Sequence, residues 1–246
     1  MGPYDEYWSN NTYEMHERVD RFKAALKTSV AKNVTYDRIG STYDGGYIWA
    51  DDINKDDYIL SFGVETNVDF EKAVSEYGCF IDMYDYSVDG PPEPVPSSFF
   101  HKEKIGLESD GNTSLDYCLG KTAKDVILKM DIEGSEWEVL AIDYKGLSQC
   151  RQITVEYHWT QNLTDPDFYI KAIAAVENVR KTHTPVLVHA NNNVPLVVMG
   201  NSPIPLVFEV LYLRTSSYEF EEQVDPFKGL IRRNDPNFPE IGLTFP

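Results

Sequence analysis

The sequence is poor in the features that make several protein classes easy to assign. Its three cysteines, Cys79, Cys118 and Cys150, are odd in number, far apart and without a CxxC pair, so neither a disulfide framework nor a cysteine zinc site is expected. They read as ordinary thiols in a reducing compartment. No run of roughly eighteen apolar residues occurs, and the start, Met1-Gly2-Pro3-Tyr4-Asp5-Glu6, is polar and acidic, so neither a membrane span nor a secretory signal is read. Positive charge is scarce as well. With 22 basic residues against 40 acidic ones, the formal charge is −18, and a phosphate backbone would be repelled at long range.

What is there suffices for a core: 246 residues, 42% of them hydrophobic, can fill one globular domain. The expectation is an intracellular, cytoplasmic protein with no nucleic-acid partner and no membrane span. Gly2-Pro3 leaves open a covalent attachment to a larger multidomain polypeptide.

Met15, Val19, Phe22, Leu26 and Val30 recur at helical spacing from Asn11 to Val30, with Asn11 and Glu14 as cap and third helical residue. Residues 1–36 are thus read as a helical segment packed on a body formed by residues 37–246. Arg38-Ile39-Gly40 and Asp44-Gly45-Gly46-Tyr47 have the chemistry of turns and loops, and Tyr58 to Phe62 is a short apolar strand that stops at Gly63. A helix follows through Phe70, Ala73, Val74 and Tyr77, opened by a Thr66-x-x-Asp69 capping box and closed by Gly78.

The alternation then repeats. Cys79 to Tyr84 is a strand ending at Asp85, the four prolines between Gly90 and Pro96 mark a loop, and Val126 to Met130 is a strand ending at Asp131. After a helix through Trp137, Gln152 to Val155 ends at Glu156, and Phe168 to Val179 is helical. The segments 186–188, 196–198 and 206–213 are strand-like without helices between them, which predicts a mostly parallel sheet finished by an antiparallel edge.

In such a sheet the ligand sits where the strands stop, here Gly63, Asp85, Asp131, Glu156 and His158. Gly63 admits a close ligand, and Asp85, 22 positions on, stands where an acid would hold ribose hydroxyls. The turn Gly63-Val64-Glu65-Thr66-Asn67-Val68 has one glycine and an acid, which suits pyrophosphate badly. S-adenosylmethionine, with ribose but no phosphate and with cationic sulfonium and ammonium groups, suits it better. Taken singly, Gly63 is equally a strand-ending turn and Asp85 a solvated loop acid.

Longer strings carry a resemblance: Arg38-x-Gly40 with Asp44-Gly45-Gly46-Tyr47; Ser61-Phe62-Gly63 with Phe70-Glu71; Tyr84-Asp85-Tyr86-Ser87; Ile105-Gly106-Leu107; Leu128 to Trp137 with its Asp-x-Glu-Gly-x-Glu core; Glu156-x-His158; His189-x-Asn191-Asn192; and Glu209 to Arg214. In this order they resemble FkbM-type S-adenosylmethionine-dependent methyltransferases, in the subgroup with a Ser-Phe-Gly first motif. The resemblance implies a Rossmann-like class I methyltransferase of α/β class: a mostly parallel seven-stranded sheet with an antiparallel last strand and helices on both faces. It also implies O-methylation of a sugar hydroxyl, for instance on a deoxyhexose such as rhamnose or fucose in a glycan or glycoconjugate. Gly63, Glu65, Asn67, Asp85, Tyr86, Gly45 and Gly46 would then surround the cofactor, and Tyr47, Glu133, His189 and Asn191 the acceptor. Tyr86 stands where the family usually has proline, and Glu65-Thr66 replaces smaller residues.

Methyl transfer to a hydroxyl needs alignment and a base. Asp131, Glu156 and His158 would converge beside the cofactor, and His158 is the base by residue type. Asp131 and Glu156 would alternatively hold Mg²⁺ or another divalent cation that binds adjacent sugar hydroxyls. Glu133 and Glu136 are read equally well as acids favoured in the first turn of a helix. Lys129 either pairs with a carboxylate in the core or reaches solvent. Competing readings are methylation of a non-sugar small molecule or of RNA ribose, a nicotinamide-dependent oxidoreductase, and a catalytically silent glycan-binding module.

Overall fold

The structure is a computed structural model and describes residues 13–142, 145–200, 202–221 and 226–242. Helix α1 (Tyr13–Ala25) buries Met15, Val19 and Phe22 on its apolar face; the cap expected at Asn11 lies outside the described residues. The helix does not reach Val30. After Leu26 the chain turns away, Ser29 donates its backbone N–H to Pro185 O at 3.0 Å, and Val30–Ala31 forms a short strand, β1. Thr28 and Ser29 favour this exit because their hydroxyls compete with helical hydrogen bonding.

The stretch read as turns is a hairpin: β2 (Tyr36–Gly40) pairs antiparallel with β3 (Gly46–Ala50). Then come β4 (Tyr58–Phe62), α2 (Asp69–Ser75), β5 (Phe80–Tyr84) and β6 (Ser98–His101). The capping box of α2 does not form. Val68 is the cap position without a side-chain bond, and Asn67 Oδ1 instead accepts the Asp69 N–H at 2.9 Å. Strand β6, half-buried and without clean alternation, carries no signal that marks it in the sequence.

The rest comprises α3 (Leu115–Leu119), β7 (Val126–Met130), α4 (Glu136–Leu140), β8 (Cys150–Tyr157), α5 (Pro166–Arg180), β9 (His183–Ala190), β10 (Leu196–Met199), β11 (Ser202–Pro205), β12 (Phe208–Arg214) and β13 (Phe220–Glu221). Strand β8 runs through Glu156 to Tyr157 instead of stopping at the acid. Helix α5 begins with Asp165 accepting the Phe168 N–H at 2.8 Å and Pro166 in its first turn, where a missing N–H costs nothing.

Seven strands make one sheet in the order β6-β5-β4-β7-β8-β12-β9. The first five run parallel, and β12 is antiparallel to both neighbours, β8 and β9. The reversed strand is therefore last in the chain order of the sheet but not at its edge; it slots between β8 and β9. Strands β10 and β11 pair with each other outside the sheet. Alternation along the strands divides the core into two. Leu60, Leu128, Val155 and Val210 pack toward α1, α4 and α5 on one face, whereas Ile59, Ile81, Ile127 and Leu211 pack toward α2 and the β2–β3 hairpin on the other. Because β4, β5, β7 and β8 are parallel, Gly63, Asp85, Asp131 and His158 all emerge at the carboxyl end of these strands. Among the described residues no helix is long and apolar enough to cross a membrane, and the three cysteines are buried and free.

Candidate active site

At that end lies a cavity of about 580 Å³, bounded by the turn after β4, the loop after β5, the ends of β7 and β8, and the segment after β9. Its backbone is unusual. Five non-glycine residues have positive φ among those described, and three of them, Glu65 (45°), Glu133 (54°) and Trp159 (62°), line this cavity. Left-handed backbone at side-chain-bearing residues is costly and gathers where a site dictates it.

Gly63 (φ 82°) is required by packing. A Cβ there would stand 1.6 Å from the carbonyl oxygen of Asp131, so β4 and β7 close on each other only with glycine. Asp85 secures the turn that follows. Its Oδ2 accepts the N–H groups of Val64 and Glu65, each at 2.8 Å, and its Oδ1 accepts the N–H and hydroxyl of Ser87, each at 2.7 Å. Burial opposes its ionisation, but these bonds outweigh burial and hold its pKa below the ordinary value. A carboxylate offers about four acceptor positions, and all four are engaged by the protein. Asp85 thus lines the cavity as the tie between two loops, not as a free acceptor.

Asn67 reaches across to the hairpin loop, donating to Asp44 O at 3.3 Å, and Gly45 leaves room for it: a Cβ at Gly45 would come within 2.4 Å of the Asn67 amide. Arg38 donates to Ser41 O and Tyr43 O at 3.1 and 2.6 Å, holding the same loop.

The floor is a chain of polar groups on β3, β4, α2 and β7. Lys129 is buried, donates to Gly63 O, and has its ammonium 4.0 Å from both Glu71 and Asp131. It pairs within the core and does not reach solvent. Ser61 donates to Glu71, and the Tyr47 hydroxyl donates to Asp131 Oδ2 at 2.9 Å. Burial, then the charges of Asp131, Glu156 and Glu209, push the Tyr47 pKa well above its ordinary value, so the phenol keeps its proton and remains a donor.

Opposite stand His158 and Glu156. His158 Nδ1 lies 3.1 Å from Glu136 Oε1, and Glu136, wholly buried, also accepts the N–H groups of Ile132 and Gly134 at 2.8 Å each. Trp137 Nε1 donates to His158 O at 2.6 Å. Two successive residues of α4 therefore grip the histidine by ring and by carbonyl. Its other nitrogen, Nε2, faces the cavity, 3.8 Å from Asp131 and 3.7 Å from Glu133. Burial lowers the ring's pKa, but Glu136, Asp131 and Glu133 outweigh it and raise it to about 9. At neutral pH the resting ring is an imidazolium.

Glu156 accepts from Asn191 Nδ2 at 2.8 Å. Burial and the nearby Asp131 and Glu209 raise its pKa well above the ordinary value. One ligand atom each from Asp131, Glu156 and His158 lies within 4.8 Å of the other two. The three side chains expected to converge do so, on the geometry of a general acid–base site or of a hard-cation site.

Two of the expected residues stand outside the cavity. Gly46 does not line the cavity. It closes the hairpin, where a Cβ would fall 1.9 Å from Ser41 O. His189 does not line it either: Nδ1 is 3.3 Å from Glu209 and Nε2 is 3.0 Å from Glu240, under the segment 226–242. Asn192 fastens that segment by donating to Asp235 O, Phe238 O and Pro239 O. Gly45, Tyr47, Gly63, Glu65, Asn67 and Tyr86 line the cavity, as do Glu133 and Asn191. The contact of Glu136 with His158 is not marked in the sequence, since an acid in the first turn of a helix is explained without a site.

Residues 52–178 match the methyltransferase FkbM domain, a stretch that carries β4 through most of α5 and the walls of the cavity other than the hairpin, the segment after β9 and Leu206-Val207. The chain belongs to the FkbM methyltransferase family. No curated protein sequence matches it. For an FkbM methyltransferase, a mostly parallel seven-stranded sheet with its last strand reversed is what the family resemblance implies. The Asp131-to-Trp137 stretch, its most specific string, wraps Glu136 around His158.

Proposed function

We propose that the protein is an S-adenosylmethionine-dependent O-methyltransferase acting on a hydroxyl of a sugar, carried on a glycan or glycoconjugate. The observation that carries this reading is the convergence of Asp131, Glu156 and His158 beside the turn of Gly63 to Asn67. The donor fits on charge. Burial, and then the charges of Glu133, Asp131 and Asp85, raise the pKa of Glu65, an excess of negative field that a cationic, phosphate-free ligand relieves. The same field and the single glycine of the turn disfavour the pyrophosphate of a nicotinamide cofactor.

S-adenosylmethionine, when bound, supplies an electrophilic methyl group on a sulfonium. The protein's part is to hold and deprotonate the acceptor oxygen. Asp131, fixed by Tyr47, and Glu156 with Asn191 hold the hydroxyls beside the one that reacts. Positive charge in the cavity offsets the carboxylates that keep the resting ring protonated, its Nε2 proton passes to solvent, and the freed Nε2 then takes the proton of the reacting hydroxyl as the methyl group passes from sulfur to oxygen.

A second reading is favoured by the three-donor cluster. Asp131, Glu156 and His158 fit a divalent cation such as Mg²⁺, and Glu136 on Nδ1 is the outer carboxylate that commonly orients a ligating histidine. Such an ion would bind two sugar oxygens and acidify one of them.

The test is methyl transfer from labelled S-adenosylmethionine to a panel of sugars, with calorimetry against NAD. Preference for NAD overturns the reading, and donor binding without transfer to any sugar or other hydroxyl favours a silent module. Full turnover in excess chelator assigns proton removal to His158, whereas loss restored by Mg²⁺ assigns it to the ion.

A further inference from the structure

Trp49 and Trp137 are buried in the core, whereas Trp159 is 45% exposed and stands at the wall of the cavity directly after His158. Three features hold it there. Its backbone is left-handed, φ 62° and ψ 39°, a conformation disfavoured for a bulky side chain. Gly134, with φ 97°, leaves room for the indole: a Cβ at that position would come within 2.5 Å of Cδ1 and 2.7 Å of Nε1. The Nε1–H points to Glu133 O at 3.4 Å. An incidental surface tryptophan needs none of these.

We propose that the indole of Trp159 is the stacking platform for a neutral pyranose ring of the acceptor, and so the residue that sets the acceptor class. This rests on the sugar reading above. A pyranose has a face of C–H groups and a rim of hydroxyls. An aromatic face takes the former, and carboxylates and amides take the latter. Both occur side by side here. The indole lies 6.2 Å, centroid to centroid, from the imidazole of His158, and Glu133, Asp131, Glu156 and Asn191 line the same cavity. A ring laid on the indole therefore presents its hydroxyl rim to the residues assigned to the reaction. A sugar phosphate would meet the same carboxylates and be disfavoured by like charge.

The test is calorimetry of neutral methyl pyranosides, the corresponding sugar phosphates and a flat phenolic compound with wild type, Trp159→Ala and Trp159→Phe, each also titrated with S-adenosylmethionine. Neutral sugar binding should weaken about tenfold in the alanine variant and less in the phenylalanine variant, with donor affinity unchanged and sugar-dependent quenching of indole emission in wild type. Trp159→Phe, which keeps an aromatic ring, guards against simple unfolding. Wild-type sugar affinity in the alanine variant overturns the platform and leaves the methyltransferase reading standing. Absence of sugar binding by wild type, or preference for the phosphates or the phenol, overturns the sugar acceptor and the platform together, while donor binding reports separately on the methyltransferase.

Discussion

Glu136 Oε1 stands 3.1 Å from Nδ1 of His158, and the same buried carboxylate accepts the N–H groups of Ile132 and Gly134. One acid thus fixes both the orientation of the ring and the loop that carries Glu133. Replacing it by glutamine, Glu136→Gln, removes the largest influence that raises the His158 pKa and leaves one backbone N–H facing an amide NH₂. The expected results are a His158 pKa that moves down from about 9 in an NMR titration, a loss of about 1–3 kcal/mol in stability, and a fall of at least roughly tenfold in kcat. An unmoved titration would remove Glu136 from its role.

Asp131 and Tyr47 are predicted to differ in weight. Tyr47→Phe deletes one donor to Asp131 Oδ2 and should cost about 1 kcal/mol, less than tenfold in kcat/KM. Asp131→Asn removes a carboxylate that holds the acceptor and faces His158 Nε2 and should lower kcat by about a hundredfold or more. Steady-state kinetics on the two variants checks the order, and near-equal losses would contradict it.

Gly63→Ala forces a Cβ against Asp131 O and a side chain onto left-handed backbone. Separation of β4 from β7 should cost at least about 2 kcal/mol, read as a lowered urea midpoint. A midpoint equal to wild type would mean that the strand ends yield freely.

Asp85 ties Val64 and Glu65 to Ser87. Asp85→Ala should orphan these donors and loosen the first turn, weakening S-adenosylmethionine binding by about tenfold or more, with a parallel loss of stability of about 1–3 kcal/mol. A variant that loses affinity at unchanged stability would instead make Asp85 a direct ligand of the cofactor.

His189 should make stability fall with rising pH. Burial opposes its charge, but Glu209 and Glu240 raise its folded pKa from 6.5 to about 9, so the folded state binds the extra proton. The contribution is fully present below pH 6.5 and is lost as pH rises through about 9. Wild type should therefore melt above His189→Gln at pH 6, with the gap of a few degrees closing above pH 9. A gap that persists at high pH would show packing, not charge, as its source.

The periodicity of apolar residues determined the alternation of strands and helices, because burial on a sheet face or a helix stripe imposes its period on the sequence locally. Gly63, Asp85, Asp131, Glu156 and His158 were legible for the same reason, since each sits where an apolar run stops. What only the tertiary structure decided depends on neighbours distant in the chain. Strand β12 enters between β8 and β9, the glycine at 63 is demanded by the carbonyl of Asp131, and Asp85 is saturated only when the turn after β4 adds its donors to those of Ser87. The protonation of His158 was beyond the sequence too: an imidazole's ordinary pKa suggests a base, but three carboxylates, one at Nδ1 and two near Nε2, make it an acid at rest. Fields and close approaches are sums over space, and residue order along the chain records them only after folding has brought the contributors together.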